Sequence, residues 1–423
     1  MMAERRNGVT ERHVTMDAVR GFAVLGILLM NIIAMGLPSY AYVSPAHYGG
    51  DHGADLAAWA LAYVLVDGKM RALFTLLFGA SLLLIADAAE GRTPGPAVTH
   101  YRRMFWLFVF GLIHAWLIWF GDILVTYALA GSLAFLLRDQ PPRRLAGIGL
   151  VILGLLMAWG LMGHFHFAQM RALAEAPGAA PELVEAWRKA FAELAPPADA
   201  AAKEIAGYRG GFVDAFGARL PMLYFFYGYL LPTIFIWEAL GFVCLGMALF
   251  RFGFFTGAWD IRIYAPLAAV LIPVGIVFGT PLAGKLWMTR WDPVTTLATD
   301  AFAIPIHLIM SIGYAAAVIA IVKSGALGRA VDRLAAAGRM AFTNYLGASL
   351  VATTLFYGYG FGLFARFDRA ELYLVVLAVW ALQLGLSKPW LDRFNYGPFE
   401  WAWRSLVKWQ PQPMRRPAVA AAE

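Results

Sequence analysis

Long apolar runs alternate with short polar connectors along most of the chain. A helix that crosses a bilayer needs ~20 mainly apolar residues. The pattern predicts ten such spans, at 17–36, 70–88, 104–120, 122–137, 145–165, 229–250, 263–280, 298–322, 340–358 and 370–387. The fourth is short, which suits a tilted or partly recessed helix. Residues 55–66 are apolar but too few to cross alone, and they read as a surface helix, a re-entrant helix or an outer extension of the second span. The start of the sixth span is blurred, because 219–232 is also apolar and contains Pro221 and Pro232. The connector 166–219 mixes both charges with Ala and Pro, including Pro196, and 181–195 within it has amphipathic spacing. The stretch 389–409 carries four tryptophans with Arg404 and Lys408, as either an interfacial helix or a plug in the bundle.

Composition agrees with this pattern. Of 423 residues, 61% are hydrophobic and 14% charged, against roughly 25% charged in a soluble domain. That excludes a soluble enzyme and a disordered chain. The unbroken runs exclude a porin-like barrel, whose strands alternate in polarity. The fold class is all-α, a polytopic helical integral membrane protein. The polar, basic segment 1–16 precedes a first span with no small-residue cleavage site after it, so that span reads as retained. The lone Cys244 sits in an apolar run and forms no disulfide framework.

The net charge of +7 bears on topology rather than on nucleic acid. With the N-terminus inside, 21 Lys and Arg fall on inner segments and ten on outer ones, six of those ten in 166–219. Arg5, Arg6 and Arg12 open the inner set. The positive-inside rule then places both termini in the cytoplasm. The organisation reads as an inner segment (1–16), a five-span bundle (17–165), an outer loop (166–219), a second five-span bundle (220–388) and an inner Trp-rich tail (389–423).

Ionisable and amide side chains within spans are costly, so each is a functional candidate. Asp17 and Arg20, at i,i+3, can pair, as an interfacial anchor or as part of a site. Arg20 and Asn31 are eleven residues apart, three turns plus ~20°, and so share a helix face. His114 lies about two turns below Trp119, Gly121 and Asp122. A hairpin at Gly121 would fold Asp122 back onto the imidazole, fixing its tautomer; a core histidine beside a helix-capping aspartate is the plainer alternative. Lys69 and Arg71 either snorkel to the outer surface or line a cavity. Glu238 follows Trp237 in the sixth span, and His307 follows Pro305 in the eighth. Asn344 and Tyr345 stand near the inner end of the ninth. No span carries metal-ligand spacing, and no metal is expected.

The run from Asp17 through Arg20-Gly21 to Asn31 resembles the opening of YeiB-like membrane proteins, the DUF418 family. Lys69-Met70-Arg71 to Phe78-Gly79-Ala80 is similar to the same family. So are His114 through Gly121-Asp122 to Tyr127, Gly338-Arg339 to Asn344-Tyr345, and Gly397-Pro398 to Trp403-Arg404. The family looks like a branch of the transmembrane acyltransferases that include the lysosomal heparan glucosaminide acetyltransferase. That resemblance implies transfer of an acyl, or acetyl, group from cytoplasmic acyl-CoA to an extracytoplasmic acceptor such as a sugar. Asn31 stands where bacterial O-acetyltransferases of that group carry His, so it is not the base. The heparan enzyme has its His in the first outer loop, where His47 is the nearest counterpart at a different spacing.

The expected mechanism uses His114, oriented by Asp122, as base or transient acyl acceptor, with Asn31 donating to the thioester oxygen. Arg20, Arg102, Arg103 and Arg339, with Asn344, would hold the acyl-CoA phosphates at the inner face. The bilayer is the evident partner, a homodimer is left open, and a bacterial inner membrane is the expected location. A transporter or channel for a small or lipidic molecule is the alternative.

Overall fold

The computed structural model describes residues 2–194, 197 and 199–416, with side chains from Val14 onward except Glu193. The side chains of Arg5, Arg6 and Arg12, as well as Pro196 and 417–423 of the tail, lie outside that description. The described chain is helical throughout, with one isolated bridge between Phe394 and Arg415. In order the helices are α1 Met2–Gly36, α2 Gly53–Leu65, α3 Lys69–Ala89, α4 Pro96–Ile113 and α5 Leu124–Phe135. Next come α6 Pro142–Ala174, α7 Pro181–Leu194, α8 Ala200–Arg209 and α9 Phe212–Phe225. They are followed by α10 Ile236–Arg251, α11 Ile261–Met288, α12 Pro293–Ser324 and α13 Gly328–Arg339. The last three are α14 Ala341–Phe356, α15 Arg369–Arg393 and α16 Pro398–Lys408.

Among the described residues, seven helical segments are long and apolar enough to cross a bilayer: Val14–Gly36, Gly53–Ala89, Pro142–Ala174, Phe212–Arg251, Ile261–Met288, Pro293–Ser324 and Arg369–Arg393. The other three expected spans fall on shorter helices. The 12 residues of α5 rise only ~18 Å, so 122–137 folds as a half-span. The ninth falls on the 16-residue α14 and the third on α4, which continues into a π-helical turn at His114–Ile118.

Three boundaries move for local reasons. Residues 55–66 extend the second span at its N-terminal end, because α2 and α3 form one apolar segment broken at Gly68, whose φ is +71°. Ser311 Oγ and Tyr314 OH donate to the Lys69 and Leu65 carbonyls at 2.7 Å each and satisfy the broken turn. The sixth span starts at Phe212 rather than 229, since α9 and α10 are joined through the π-helical Phe226–Phe235, which absorbs Pro232. The outer loop is correspondingly shorter than 166–219, because α6 also runs on to Ala174.

Glycines set the closest helix contacts. A Cβ on Gly21 would lie 2.0 Å from the Leu334 carbonyl oxygen, and one on Gly338 would lie 1.8 Å from that of Asp17. Helices α1 and α13 therefore meet backbone to backbone. Gly79 and Gly246 do the same for α3 and α10, as small residues do where membrane helices cross. At one end of the bundle, α16 packs on α4 and α14. Glu400 of α16 is buried and accepts from the Phe342 and Thr343 amides at 2.8 and 3.0 Å, capping α14.

Candidate functional site

The expected turn at Gly121 forms. The π-turn after α4 closes with the Trp119 amide donating to the His114 carbonyl at 2.9 Å. The chain then reverses and Asp122 opens α5. One Asp122 oxygen accepts from the Val125 amide at 2.9 Å, and the other lies 2.8 Å from His114 Nδ1. The capping and imidazole-pairing roles thus belong to the same carboxylate. His114 and Asp122 are 1% and 2% exposed. A Cβ on Gly111 would come 2.9 Å from Asp122 Oδ1, so this glycine admits α5 against α4.

With the carboxylate on Nδ1, that nitrogen carries the proton and Nε2 is left as the basic atom. Nε2 is buried and takes no hydrogen-bond partner in the fold. The ring is walled by Tyr345 at 5.3 Å and Trp119 at 6.2 Å between centroids. Trp119 Nε1 donates to the Ala34 carbonyl at 3.3 Å, tying the turn to α1. Tyr345 stands beside His114 because the start of α14 lies against the end of α4. Phe342 packs on Phe110 at 5.3 Å, so the first turn of α14 runs along the last turns of α4.

A polar chain leads away from this pair. Tyr127 OH lies 2.9 Å from Thr75 Oγ1, which donates to the Arg71 carbonyl at 2.7 Å. Arg71 binds Glu238 through two nitrogens, at 2.5 and 3.3 Å, across 167 residues of sequence. These residues, with Ile123 and Phe235, line a cavity of about 10 Å³, on the scale of one water. Lys69 is buried at 2% exposure, with Nζ donating to the Tyr63 carbonyl. Beyond it lie groups absent from the sequence-based candidates. Asp67 accepts from Tyr42 OH at 3.3 Å, and Asp300 stays open to solvent within electrostatic reach of Asp67, Glu238 and Arg71. His307 faces Lys69 and Arg71.

At the other end of α1 and α4 the cations gather. Arg20 bonds Asp17 at 2.7 Å and Ser81 at 3.0 Å. Arg103 lies over the Trp403 ring at 4.2 Å, and Trp403 Nε1 donates to the Arg103 carbonyl at 3.2 Å. Arg103 is within electrostatic reach of Arg404 and Arg20 and forms no ion pair with a described carboxylate. Three cations from α1, α4 and α16 thus converge, Arg404 being the one the sequence assigned only to the tail.

The remaining candidates differ in burial. Asn31 is half-buried on α1. Arg102 is half-buried, Arg339 is exposed at the end of α13, and His47 is exposed in the outer loop. The Asn344 amide is buried and donates to the Ala337 carbonyl at 3.0 Å and to Ser387 at 3.2 Å, joining α13, α14 and α15. Among the described residues, no three His, Cys, Asp or Glu converge as metal ligands.

Sequence comparison adds the lineage. Residues 249–410 match the family model described as "Protein of unknown function (DUF418)". The chain is 34% identical over 407 residues to the "Uncharacterized protein YeiB" of Escherichia coli (strain K12), covering 94% of this chain and 96% of the relative. It is 29% identical to the "Uncharacterized protein YxaH" of Bacillus subtilis (strain 168), over 95% and 96% of the two chains. No solved structure matches. With near-complete coverage at that identity, and a helical bundle to match, the chain belongs to the YeiB-like DUF418 family of membrane proteins.

Proposed function

We propose that this chain is a membrane-embedded acyltransferase of the bacterial cytoplasmic membrane, with both termini inside. It would move an acyl group, acetyl as the simplest case, from cytoplasmic acyl-CoA to an extracytoplasmic hydroxyl or amine. The observation that carries the reading is the sealed His114–Asp122 pair with Nε2 unpartnered. A buried imidazole whose tautomer is fixed by a carboxylate is the arrangement a general base needs. In the proposed step Nε2 takes the acceptor's proton as its oxygen or nitrogen bonds the thioester carbon. The carbon–sulfur bond then breaks, and the proton passes to the departing thiolate.

The convergence of Arg20, Arg103 and Arg404 supports a phosphate-binding role at the inner face. Arg102, beside Arg103 on α4, and Arg339, next to the Gly338 contact with Asp17 and Gly21, stay candidates for that role, as does Asn344. His114 is closed to a thioester in this arrangement, so the donor's entry requires α4 and α14 to part. Asn31, on the same bundle, is retained as a candidate donor to the thioester oxygen.

A second reading, proton- or ion-coupled transport, is favoured by the other polar cluster, in which Lys69 and Glu238 are buried and Asp300 meets solvent. Lys69, Arg71, Glu238, Asp67, Asp300 and His307 are the kind of intramembrane ionisable set that lines transport paths. One experiment separates the two. Purified full-length protein in lipid nanodiscs is titrated with acetyl-CoA by calorimetry, then assayed for CoA thiol release in the presence of an envelope glycan hydrolysate. The acyltransferase reading expects saturable binding, and release that is lost in His114→Ala while binding persists. Absence of CoA binding overturns it.

A further inference from the structure

Arg219 of α9 is 0% exposed. Its Nη1 donates to the Trp116 carbonyl at 2.7 Å, within the π-turn that begins at His114. Nε and Nη2 are buried without a partner in the fold. Those two nitrogens form the side edge of the guanidinium, whose parallel N–H bonds match the two oxygens of a carboxylate. The surroundings supply further donors. Tyr208 and Tyr357 stack at 4.6 Å, both buried. The Tyr208 hydroxyl is within reach of both Arg219 and the Tyr357 hydroxyl.

No described carboxylate forms an ion pair with Arg219. Of the acids on the same hairpin, Glu204 of α8 has both oxygens taken by Ser39, at 2.7 and 2.6 Å, and Asp214 of α9 is exposed and accepts from the Gly211 amide at 2.8 Å. A buried cation without a counter-charge is costly. Holding the π-turn explains one nitrogen and leaves the fork edge unexplained. We propose that Arg219, with Tyr208 and Tyr357, is a subsite for a carboxylate on the extracytoplasmic acceptor, which makes that acceptor a sugar acid or a similarly acidic molecule. This rests on the acyltransferase reading only for the word acceptor; the carboxylate site stands as a binding site without it.

The same helices show how such a group enters. The α8–α9 hairpin is fastened at its rim, by Glu204 to Ser39, by the Gly358 amide to the Tyr208 carbonyl at 2.7 Å, and by Arg209 to the Phe364 and Ala365 carbonyls. Such a group would enter by release of these links.

The test uses saturation-transfer NMR on the full chain in nanodiscs, with D-glucuronate, D-glucuronamide, D-glucose and inorganic phosphate as probes. Glucuronate is expected to bind at least about 10-fold more tightly than its neutral amide, the scale for a charged hydrogen-bonded pair. Arg219→Gln is expected to abolish that preference, and Tyr357→Phe, which removes one hydroxyl, to weaken it several-fold. His114→Ala is expected to leave glucuronate binding intact, so loss of thiol release and loss of this site are read separately. Equal binding of glucuronate and glucuronamide, no binding of glucuronate, preference for phosphate, or an unchanged preference in a monodisperse Arg219→Gln protein each overturns the carboxylate site.

Discussion

Asp122→Asn is the sharpest perturbation of the proposed chemistry, because it separates the two jobs of one side chain. The asparagine oxygen can still accept from the Val125 amide, now at 2.9 Å, so the cap of α5 survives. The new NH₂ then faces His114 Nδ1, where a carboxylate oxygen stood at 2.8 Å. Nδ1 must become the acceptor, the proton moves to Nε2, and the basic nitrogen is lost. Retaining the cap confines the stability loss to about 1 kcal/mol. A wrong tautomer with intact geometry costs about 10⁴-fold in turnover where a carboxylate orients a catalytic imidazole. Asp122→Ala, by contrast, forfeits both roles and is expected to lower the melting temperature as well. The assay is CoA thiol release in nanodiscs; the chain's only cysteine, Cys244, is buried, which keeps the background low. If Asp122→Asn retains turnover within threefold of the parent protein, Asp122 is only a helix cap and the tautomer argument is wrong.

The remaining expectations are brief. Arg103→Gln raises the KM for acetyl-CoA about 10-fold, as loss of one charged contact would, with kcat little changed; an unchanged KM removes Arg103 from phosphate binding. Arg71→Met costs about 3–5 kcal/mol, because the Glu238 charge is left buried, whereas the Arg71→Met/Glu238→Leu double variant recovers most of it; additive losses in chemical denaturation refute the pairing. Gly338→Ala forces α1 from α13 and lowers stability by about 1–3 kcal/mol, seen as a lower melting temperature; a neutral result refutes the backbone contact. Glu204 lies in the outer connector, and burial holds its carboxyl above the usual range. The docked hairpin therefore binds that proton more tightly than the free one, and docking weakens as pH rises from the ordinary carboxylate range through the raised value. Trypsin cleavage at Lys203 should increase across that window, and Glu204→Gln should flatten the change.

Local spacing made the His114–Asp122 pair readable. Gly121 breaks the helix between them, and eight residues of turn bring the carboxylate home. The Asp17–Arg20 bond is readable for the same reason, being one helical turn. Arg71 and Glu238 were each visible as charges in apolar runs, but their contact spans 167 residues and depends on how α3 crosses α10. Asp67 and Asp300 sit at span ends, where a carboxylate looks solvated until the ends are packed together. Arg219 was invisible in a different way. Pro221 and Pro232 suggested that 219–232 was a broken entrance, so its arginine counted as a loop cation. The π-helical stretch carries the chain past Pro232 and puts that arginine on a buried helix face. Tyr345 was readable as a residue near the start of the ninth span but not as a neighbour of His114, because that contact depends on how α14 packs on α4.

The inner cations and the proposed base are linked by a single rigid element. Arg103 of α4 and His114, at the start of the π-turn that continues it, are eleven residues apart, so they share a face and stand ~16 Å apart along the axis. The residues between them on that face, Leu107 and Gly111, are buried. Arg20 and Asn31 repeat the same spacing on α1, and both helices reach from the cation cluster to the level of the Trp119 turn. Two helices therefore present the same pairing, a cation near one end and a polar side chain three turns further on. A donor whose anionic head is held by the arginines would have its far end delivered at the depth of His114 without further adjustment. A single alanine inserted after Leu107 would rotate His114 by ~100° off that face while leaving Arg103 in place. It should leave acetyl-CoA binding intact and abolish thiol release; retained release would show that α4 does not set the reach.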